Sequence, residues 1–393
     1  MRLMVNFKMT KKVKNIMFLI LVCCFFGGIG LFNYSVDPYN VFHNKDYMNL
    51  DGGFGSVFIK MKAYKNIPYS TVIIGGSEVS SMFPFCEFTK KYFNRIAMDD
   101  GLPHKFFGSL LKPYIDLHPE TEKVIIFINY MSIIYYPEAE IPVYSGKSFN
   151  KEEIIKIFFG IDTTKKSIVK IWDNVSTLFY GEEIYEIHQV PKLTDTIDFS
   201  EAELAETLAD NIKYIDDILN FLDEKNIKYE IVIPPYNGAF LAFINENDKY
   251  RKSFETFKIF LTDRVGEIYD FAFINKYTSE NMLDKHSYLY NNYNHPDHIF
   301  GAKVFKVLYD LEIADPNIFV KLTKNNINQE LIHQRLLVKE YIKNNKETYD
   351  QYSKWFNQSL PQEEAEEQKL VKFDDIPNDG KLELEYIYSK MEY

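Results

Sequence analysis

Short apolar runs recur along the chain and are separated by segments with a helical pattern. Three runs rich in Ile and Val, and a weaker fourth, have the length of buried strands; they lie at 71–74, 123–128, 228–233 and 267–273. The clearest helical segment is 200–226, where Ser200 and Glu203 form a capping box ahead of apolar residues spaced three and four apart. Strands that alternate with helices predict an α/β fold with a mainly parallel sheet.

The first 36 residues have the pattern of a membrane anchor. Residues 1–14 carry basic side chains and no acidic one, and residues 15–36 carry no charge. About 22 uncharged residues are enough to cross a bilayer as one helix. The basic flank places residues 1–14 in the cytoplasm and the rest of the chain outside it. A cleaved secretory signal is the alternative, but no A-x-A site follows the apolar run, so we expect an uncleaved single-pass anchor in the cell membrane.

Two further segments follow the anchor, and the first contains an insertion. Residues 37–312 form the predicted α/β domain, and within it residues 138–198 break the alternation and read as an insertion or lid. Residues 313–393 form a helical C-terminal extension, within which the acidic stretch near 361–380 is expected to be loose.

Composition and charge exclude several classes of function. With 393 residues and 46% hydrophobic content, the chain can bury a sizeable core. The formal charge is −11 and no basic block occurs beyond the N-terminus, which argues against nucleic acid as a partner. Only Cys86 lies beyond the anchor, so no intrachain disulfide is possible there, and the histidines show no metal-site spacing. We expect no metal and no cofactor.

A serine stands directly after the first predicted strand, in Gly75-Gly76-Ser77. The carboxyl end of a parallel strand is where open α/β sheets place their ligands. Two glycines allow a sharp turn and a close approach of substrate to the backbone. The alternative is that Ser77 simply caps the following helix.

Polar residues also follow the other predicted strands, and all are expected at the same edge of the sheet. Asn129 follows the second strand, Tyr236 and Asn237 follow the third, and His295 and His298 follow the last. Asn129 could instead be a cap, His295 a surface loop residue, and His298 the first residue of an amphipathic helix. Tyr236 and Asn237 are candidates to line a pocket.

In the order of these blocks the chain resembles the SGNH (GDSL-like) hydrolase superfamily, and more specifically its membrane-anchored exported branch that acts on cell-surface polymers. Gly75-Gly76-Ser77 matches the G-x-S turn of the nucleophile. Gly101 corresponds to the glycine of the family's second sequence block. The third block, G-x-N-D, keeps only its asparagine, Asn129. For the closing D-x-x-H block, His295 is favoured, with Asn292 at the position of the acid.

The resemblance implies a three-layer sandwich with a flavodoxin-like sheet and a serine mechanism. Ser77 would be the nucleophile, His295 the general base and Asn292 its orienting partner, with His298 as the alternative base. The oxyanion donors would be the backbone N–H groups of Ser77 and Gly101 and the amide of Asn129.

The function implied is that of an extracytoplasmic serine esterase or O-acyltransferase. Its substrate would be a cell-surface glycan or polymer, its intermediate an acyl-serine, and a multi-span membrane acyltransferase a possible partner. The alternative is a non-catalytic accessory protein of the same fold that binds glycan or organises an acyl-transfer complex. The missing D-x-x-H aspartate favours this alternative.

Overall fold

The computed structural model describes ten stretches of the chain and part of an eleventh. The complete stretches are 11–36, 70–82, 94–97, 105–130, 185–187, 200–281, 289–292, 295–309, 315–357 and 369–371, and the partial one lies within 155–168. The described residues divide into two compact units, which are taken separately below. One unit comprises those within 1–52 and 145–183, and the other those within 53–144 and 184–393.

The described strands and helices follow each other as the alternating pattern predicts. The strands are β1 Thr71–Gly75, β2 Asn94–Ala97, β3 Lys123–Phe127, β4 Tyr185–Ile187, β5 Lys228–Ile233, β6 Glu267–Asp270, β7 Tyr290–Asn292, β8 His295–Pro296, β9 Val320–Thr323 and β10 Lys369–Val371. The helices are α1 Lys11–Val36, α2 Ser77–Met82, α3 Lys105–Leu117, α4 Glu201–Glu224, α5 Gly238–Glu246, α6 Asp248–Val265, α7 His298–Leu308, α8 Ile327–Asn344 and α9 Lys346–Asn357.

A six-stranded sheet in the order β2-β1-β3-β5-β6-β9 organises the larger unit. The first five strands are parallel, and β9 runs antiparallel to β6. The predicted α/β fold with a mainly parallel sheet is confirmed. Two small antiparallel pairs, β4 with β10 and β7 with β8, stand apart from this sheet.

The core of the sheet is formed by the runs of Ile and Val. In β1 and β3 the residues 72–74 and 124–127 have almost no exposed surface. Strands of a parallel sheet are buried on both faces, which explains why these runs are continuous rather than alternating. One of the long helices, α4, begins with the predicted capping box. The Ser200 hydroxyl accepts a hydrogen bond from the Glu203 N–H, and the Glu203 carboxylate accepts one from the Ser200 N–H.

The α/β domain continues past residue 312, where the sequence places its end. Strand β9 is the sixth strand of the main sheet, and α8 packs against α5 and α6. Gln334 of α8 joins a buried ion pair between Lys258 of α6 and Asp270 at the end of β6. The C-terminal segment is therefore part of the core at least through α8.

The smaller unit is built around α1. Within this helix, residues 15–36 are long and apolar enough to cross a membrane, by length and composition. The described residues of 155–168, from the predicted insertion, belong to this unit.

Candidate functional site

The order of the parallel strands reverses next to the candidate serine. Numbered along the chain, the five parallel strands lie in the order 2-1-3-4-5, so the direction of winding switches between β1 and β3. Open α/β sheets bind ligands outside the carboxyl ends of the two strands at such a switch point. Ser77 begins α2 directly after β1, and Asn129 follows β3. The two candidate residues therefore flank the position where this architecture places a site.

Close packing requires glycine at position 75, and Gly76 leaves room for a neighbouring side chain. A Cβ atom on Gly75 would lie 2.2 Å from Cγ2 of Val79 and 2.8 Å from Cβ of Phe127. A Cβ atom on Gly76 would lie 2.5 Å from Oε2 of Glu78. Among the residues with a described backbone, the one glycine with a positive φ is Gly266, so neither of these two serves a left-handed turn. The space that Gly76 leaves is taken by the carboxylate of Glu78.

Glu78, in the first turn of α2, joins the serine turn to the end of β3. Its side chain is 1% exposed. Oε1 accepts a hydrogen bond from the Gly76 N–H at 2.9 Å, and Oε2 accepts one from Nδ2 of Asn129 at 3.2 Å. Glu78 thus fixes two groups on either side of the switch point. Sequence reasoning gave Glu78 no role, and the local signal that points to it is an acid inside a short turn of otherwise small and apolar residues.

A directed chain of hydrogen bonds ends at this carboxylate. The backbone N–H of Tyr130 donates to the hydroxyl of Tyr236 at 2.6 Å, and that hydroxyl donates to Oδ1 of Asn129 at 2.8 Å. Because a backbone N–H can only donate, the Tyr236 hydroxyl points its own hydrogen at Asn129. The Asn129 oxygen is then the acceptor and its NH₂ group faces Glu78. The direction of every bond in the chain is consistent with an ionised Glu78.

Burial and hydrogen bonding act in opposite directions on this carboxyl group. Burial raises the pKa of Glu78, and hydrogen bonds from its own backbone, from Gly76 and from Asn129 oppose the rise. Buried carboxylates that keep their charge need such donors. A titratable group with a perturbed pKa at a switch point is a recognised mark of a functional site.

The segment of His295 packs against the helix that begins with Ser77. Strand β8 and helix α7 both contact α2. A Cβ atom on Gly301 would lie 1.8 Å from the carbonyl oxygen of Met82, so only glycine permits this approach of α7 to the end of α2. His295 is half-buried, and burial lowers its pKa to about 4. A neutral imidazole at neutral pH is the form that a general base requires.

The two other residues of the closing block have clear backbone positions. Asn292 pairs with His295 in the register of β7 and β8. His298 is the first residue of α7, and the N-cap of that helix is Asp297, whose carboxylate accepts from the Ile299 N–H at 3.5 Å. The backbone of His298 therefore lies at the start of a helix, as the alternative interpretation of this residue predicts. Asp297 is buried, and in the sequence it stands two residues after His295 and directly before His298. The sequence analysis gave it no role.

The remaining candidates divide between structural positions and the undescribed part of the chain. Tyr236 and Asn237 are both fully buried. Asn237 is the N-cap of α5: Oδ1 accepts from the Ala239 N–H at 3.0 Å, and Nδ2 donates to the Glu280 carbonyl at 2.8 Å. Tyr236 and Asn237 thus hold the site's framework together. Gly101 lies outside the described residues, and no group of three His, Cys, Asp or Glu side chains able to hold a metal occurs within them.

A reciprocal exchange tests the contact between Glu78 and Asn129. Glu78→Gln leaves one acceptor oxygen for two donors, so its NH₂ group faces either the Gly76 N–H or the Asn129 amide, and Asn129→Asp sets one carboxylate against another. Each change is expected to lower the free energy of unfolding by about 1–3 kcal/mol. The double variant restores one donor and one acceptor, so we expect a favourable coupling of about 1–3 kcal/mol in a double-mutant cycle measured by urea unfolding. Strictly additive costs would show that the two side chains do not interact.

Comparison of the chain with protein-family models, with curated proteins and with solved structures finds no match. The geometry of the site itself is therefore the basis for the functional argument.

Proposed function

We propose that the chain is a membrane-anchored serine esterase or O-acyltransferase of SGNH type, acting outside the cytoplasm on a cell-surface glycan or polymer. The observation that carries this proposal is the placement of Ser77 and Asn129 on either side of the sheet's switch point, with the segment of His295 packed on the helix of Ser77. The strand order 2-1-3-4-5 is that of flavodoxin-like sheets, which supports the proposed three-layer architecture.

The mechanism uses the chain's own residues in two steps. His295 takes the proton of the Ser77 hydroxyl as the oxygen attacks the acyl carbon, and His295 then gives that proton to the departing alcohol. In the second step a water or a sugar hydroxyl loses its proton to His295 as its oxygen attacks the acyl carbon. The bond from that carbon to the Ser77 oxygen then breaks, His295 returns the proton to the Ser77 oxygen, and the acid or the acylated sugar leaves. The backbone N–H groups of Ser77 and Gly101 and the amide of Asn129 would stabilise the oxyanion.

Within this mechanism Glu78 acts as a positioning residue. It holds the Gly76 peptide directly before the nucleophile and fixes the orientation of the Asn129 amide. Asn292, paired with His295 in the strand register, would orient the imidazole through its amide oxygen in place of the usual aspartate.

Helix α1 supplies the location. Its uncharged residues 15–36, preceded by basic residues, support a single-pass anchor with the α/β domain outside the cytoplasm. A domain held at the membrane surface is suited to receive an acyl group from a multi-span membrane acyltransferase, which is the partner proposed.

Two observations favour a second candidate, a non-catalytic accessory protein of the same fold. The position of the catalytic acid holds Asn292. In addition, the amide of Asn129, proposed as an oxyanion donor, already donates to Glu78. In this alternative the buried network stabilises a glycan-binding surface or a docking surface for the acyl-transfer complex.

The pH dependence of ester hydrolysis separates the two candidates. An imidazole with a pKa of about 4 is neutral, and so able to accept a proton, at all higher pH values. We therefore expect kcat/KM for an activated acetyl ester to be constant between about pH 5.5 and 7.5 and to fall to half near pH 4. The unfolded chain takes up this proton near pH 6.5, so stability also declines as the pH falls from about 6.5 to 4, and circular dichroism must show a folded protein at each point. A half-point near 6.5 would contradict the role of His295, and absence of any hydrolysis would favour the accessory protein.

A further inference from the structure

A buried polar residue lies near the C-terminal end of the apolar helix α1. Asn33 is 1% exposed, although it lies within the uncharged span. Its Nδ2 donates to the carbonyl oxygen of Phe158 at 2.8 Å and to Oγ1 of Thr164 at 3.0 Å. Its Oδ1 accepts from the hydroxyl of Ser167 at 2.9 Å. Asn33 is therefore the centre of a polar contact between α1 and residues 155–168.

Small and aromatic residues complete this contact. A Cβ atom on Gly30 would lie 2.8 Å from Cε1 of Phe159, so glycine lets the Phe159 ring lie against α1. The Phe159 ring also meets that of Phe26 edge to face, at a centroid distance of 6.4 Å, and the Phe158 ring stacks on Tyr34 at 6.0 Å. Small residues that permit close approach, joined by Asn, Ser and Thr hydrogen bonds, are the means by which helices pack inside membranes.

The other side of the segment exposes large apolar side chains. Ile161 is 75% exposed, and Ile155 and Ile168 are each more than half exposed. By contrast, Thr163 and Ser167 are buried. The segment thus places the hydroxyl groups of Thr164 and Ser167 toward Asn33 and the side chains of three isoleucines outward, the reverse of what an aqueous surface favours.

The position of the contact along α1 gives its depth in a membrane that α1 crosses, measured from the end of the helix. Gly30 and Asn33 stand six and three residues before the end of the helix at Val36, which corresponds to about 9 and 4.5 Å along the axis. Amphipathic helices that lie in a membrane surface bury their apolar face by about 5–10 Å at the boundary between headgroups and acyl chains. An element that crosses α1 at this level meets lipid on its outward side.

We propose that residues 155–168 form a second membrane-contacting element, which docks on α1 at Gly30 and Asn33 and inserts its outward face into the adjoining leaflet. The side chains that contact lipid are Ile155, Ile161 and Ile168. This proposal rests on the membrane anchor in the proposed function and adds to it that the insertion is held at the bilayer surface. The chain is then attached to the membrane by two elements, and Asn33 sets their mutual position.

Spin labels on the full-length protein in phosphatidylcholine–phosphatidylglycerol vesicles test the proposal. Cys23, Cys24 and Cys86 are replaced by alanine, and single cysteines for the label are introduced by Ile161→Cys and Ile168→Cys. Leu21→Cys, exposed on the span, serves as the lipid reference, and Asp217→Cys, exposed on α4, as the water reference. Power saturation compares the access of oxygen, which concentrates in acyl chains, with that of a water-soluble nickel complex.

The expected result is that labels at 161 and 168 favour oxygen as the label at 21 does, whereas the label at 217 favours nickel. Water-like labels at 161 and 168 beside a lipid-like label at 21 would overturn this proposal and leave the anchor standing. A water-like label at 21 would overturn the anchor itself. Gly30→Leu, which clashes with the Phe159 ring, is expected to change the depth of the label at 161 and to leave that at 21 unchanged. An unchanged depth at 161 would contradict docking at Gly30.

Discussion

Replacing Asp270 by alanine is expected to lower the free energy of unfolding by about 3–5 kcal/mol, because it leaves a buried ammonium group without its counter-charge. Lys258 and Asp270 have at most 1% exposed surface, and Nζ of Lys258 lies 2.7 Å from Oδ2 of Asp270. Nζ also donates to the Ala272 carbonyl and to Oε1 of Gln334. Burial lowers the pKa of Lys258 and the charge of Asp270 opposes this shift, so the charged lysine depends on its partner.

The measurement is urea unfolding of the full-length protein in detergent, followed by circular dichroism. Asp350→Ala is the matched control, since Lys346 and Asp350 form an exposed pair four residues apart on α9. Pairs of that kind contribute about 0.3–0.5 kcal/mol. A cost for Asp270→Ala as small as that of the control would show that α6, β6 and α8 are not tied together by this network.

Loss of His295 is expected to reduce turnover by about 100-fold or more, the usual contribution of a positioned general base. His295→Ala removes the half-buried imidazole on β8, which packs against the helix of Ser77. His298→Ala, at the first position of α7, is expected to change turnover little. Asn292→Asp should match or raise the rate, since a carboxylate stabilises the imidazolium by charge as well as by hydrogen bonding.

The readout for these variants is kcat for hydrolysis of an activated ester, with unfolding curves as a check on folding. An inactive His298→Ala variant beside an active His295→Ala variant would assign the base to His298. If neither histidine affects the rate, the accessory protein becomes the better account.

Continuous runs of apolar residues made the centre of the fold predictable. Strands β1, β3 and β5 lie where Ile and Val are concentrated, because strands buried on both faces require such runs, and β6 begins the weaker apolar run at 267–273. Strands β2 and β9 have four residues each and carry polar side chains among the apolar ones, so no run identifies them. The end of the domain was placed too early for the same reason, since β9 belongs to the sheet.

The positions of the candidate residues were predictable, but their contacts were not. Ser77 and Asn129 could be placed at one edge because each follows a parallel strand. The bond between Glu78 and Asn129 joins residues 51 positions apart, and no local pattern reveals it. The same holds for Asn33 and Ser167, which meet across 134 positions. Tyr236 and Asn237 show the converse case: they stand at the strand end as expected, but both are fully buried.

Covalent labelling of Ser77 decides whether this residue is the nucleophile. The full-length protein is treated with a fluorophosphonate probe, and the modified residue is identified by peptide mass spectrometry. Ser80→Ala and Ser81→Ala, at the other serines of α2, serve as controls within the same helix. We expect one labelled peptide containing Ser77, loss of labelling in Ser77→Ala, and normal labelling in the two controls. Equal labelling of Ser77→Ala, or no labelling of the folded wild-type protein, would contradict this expectation.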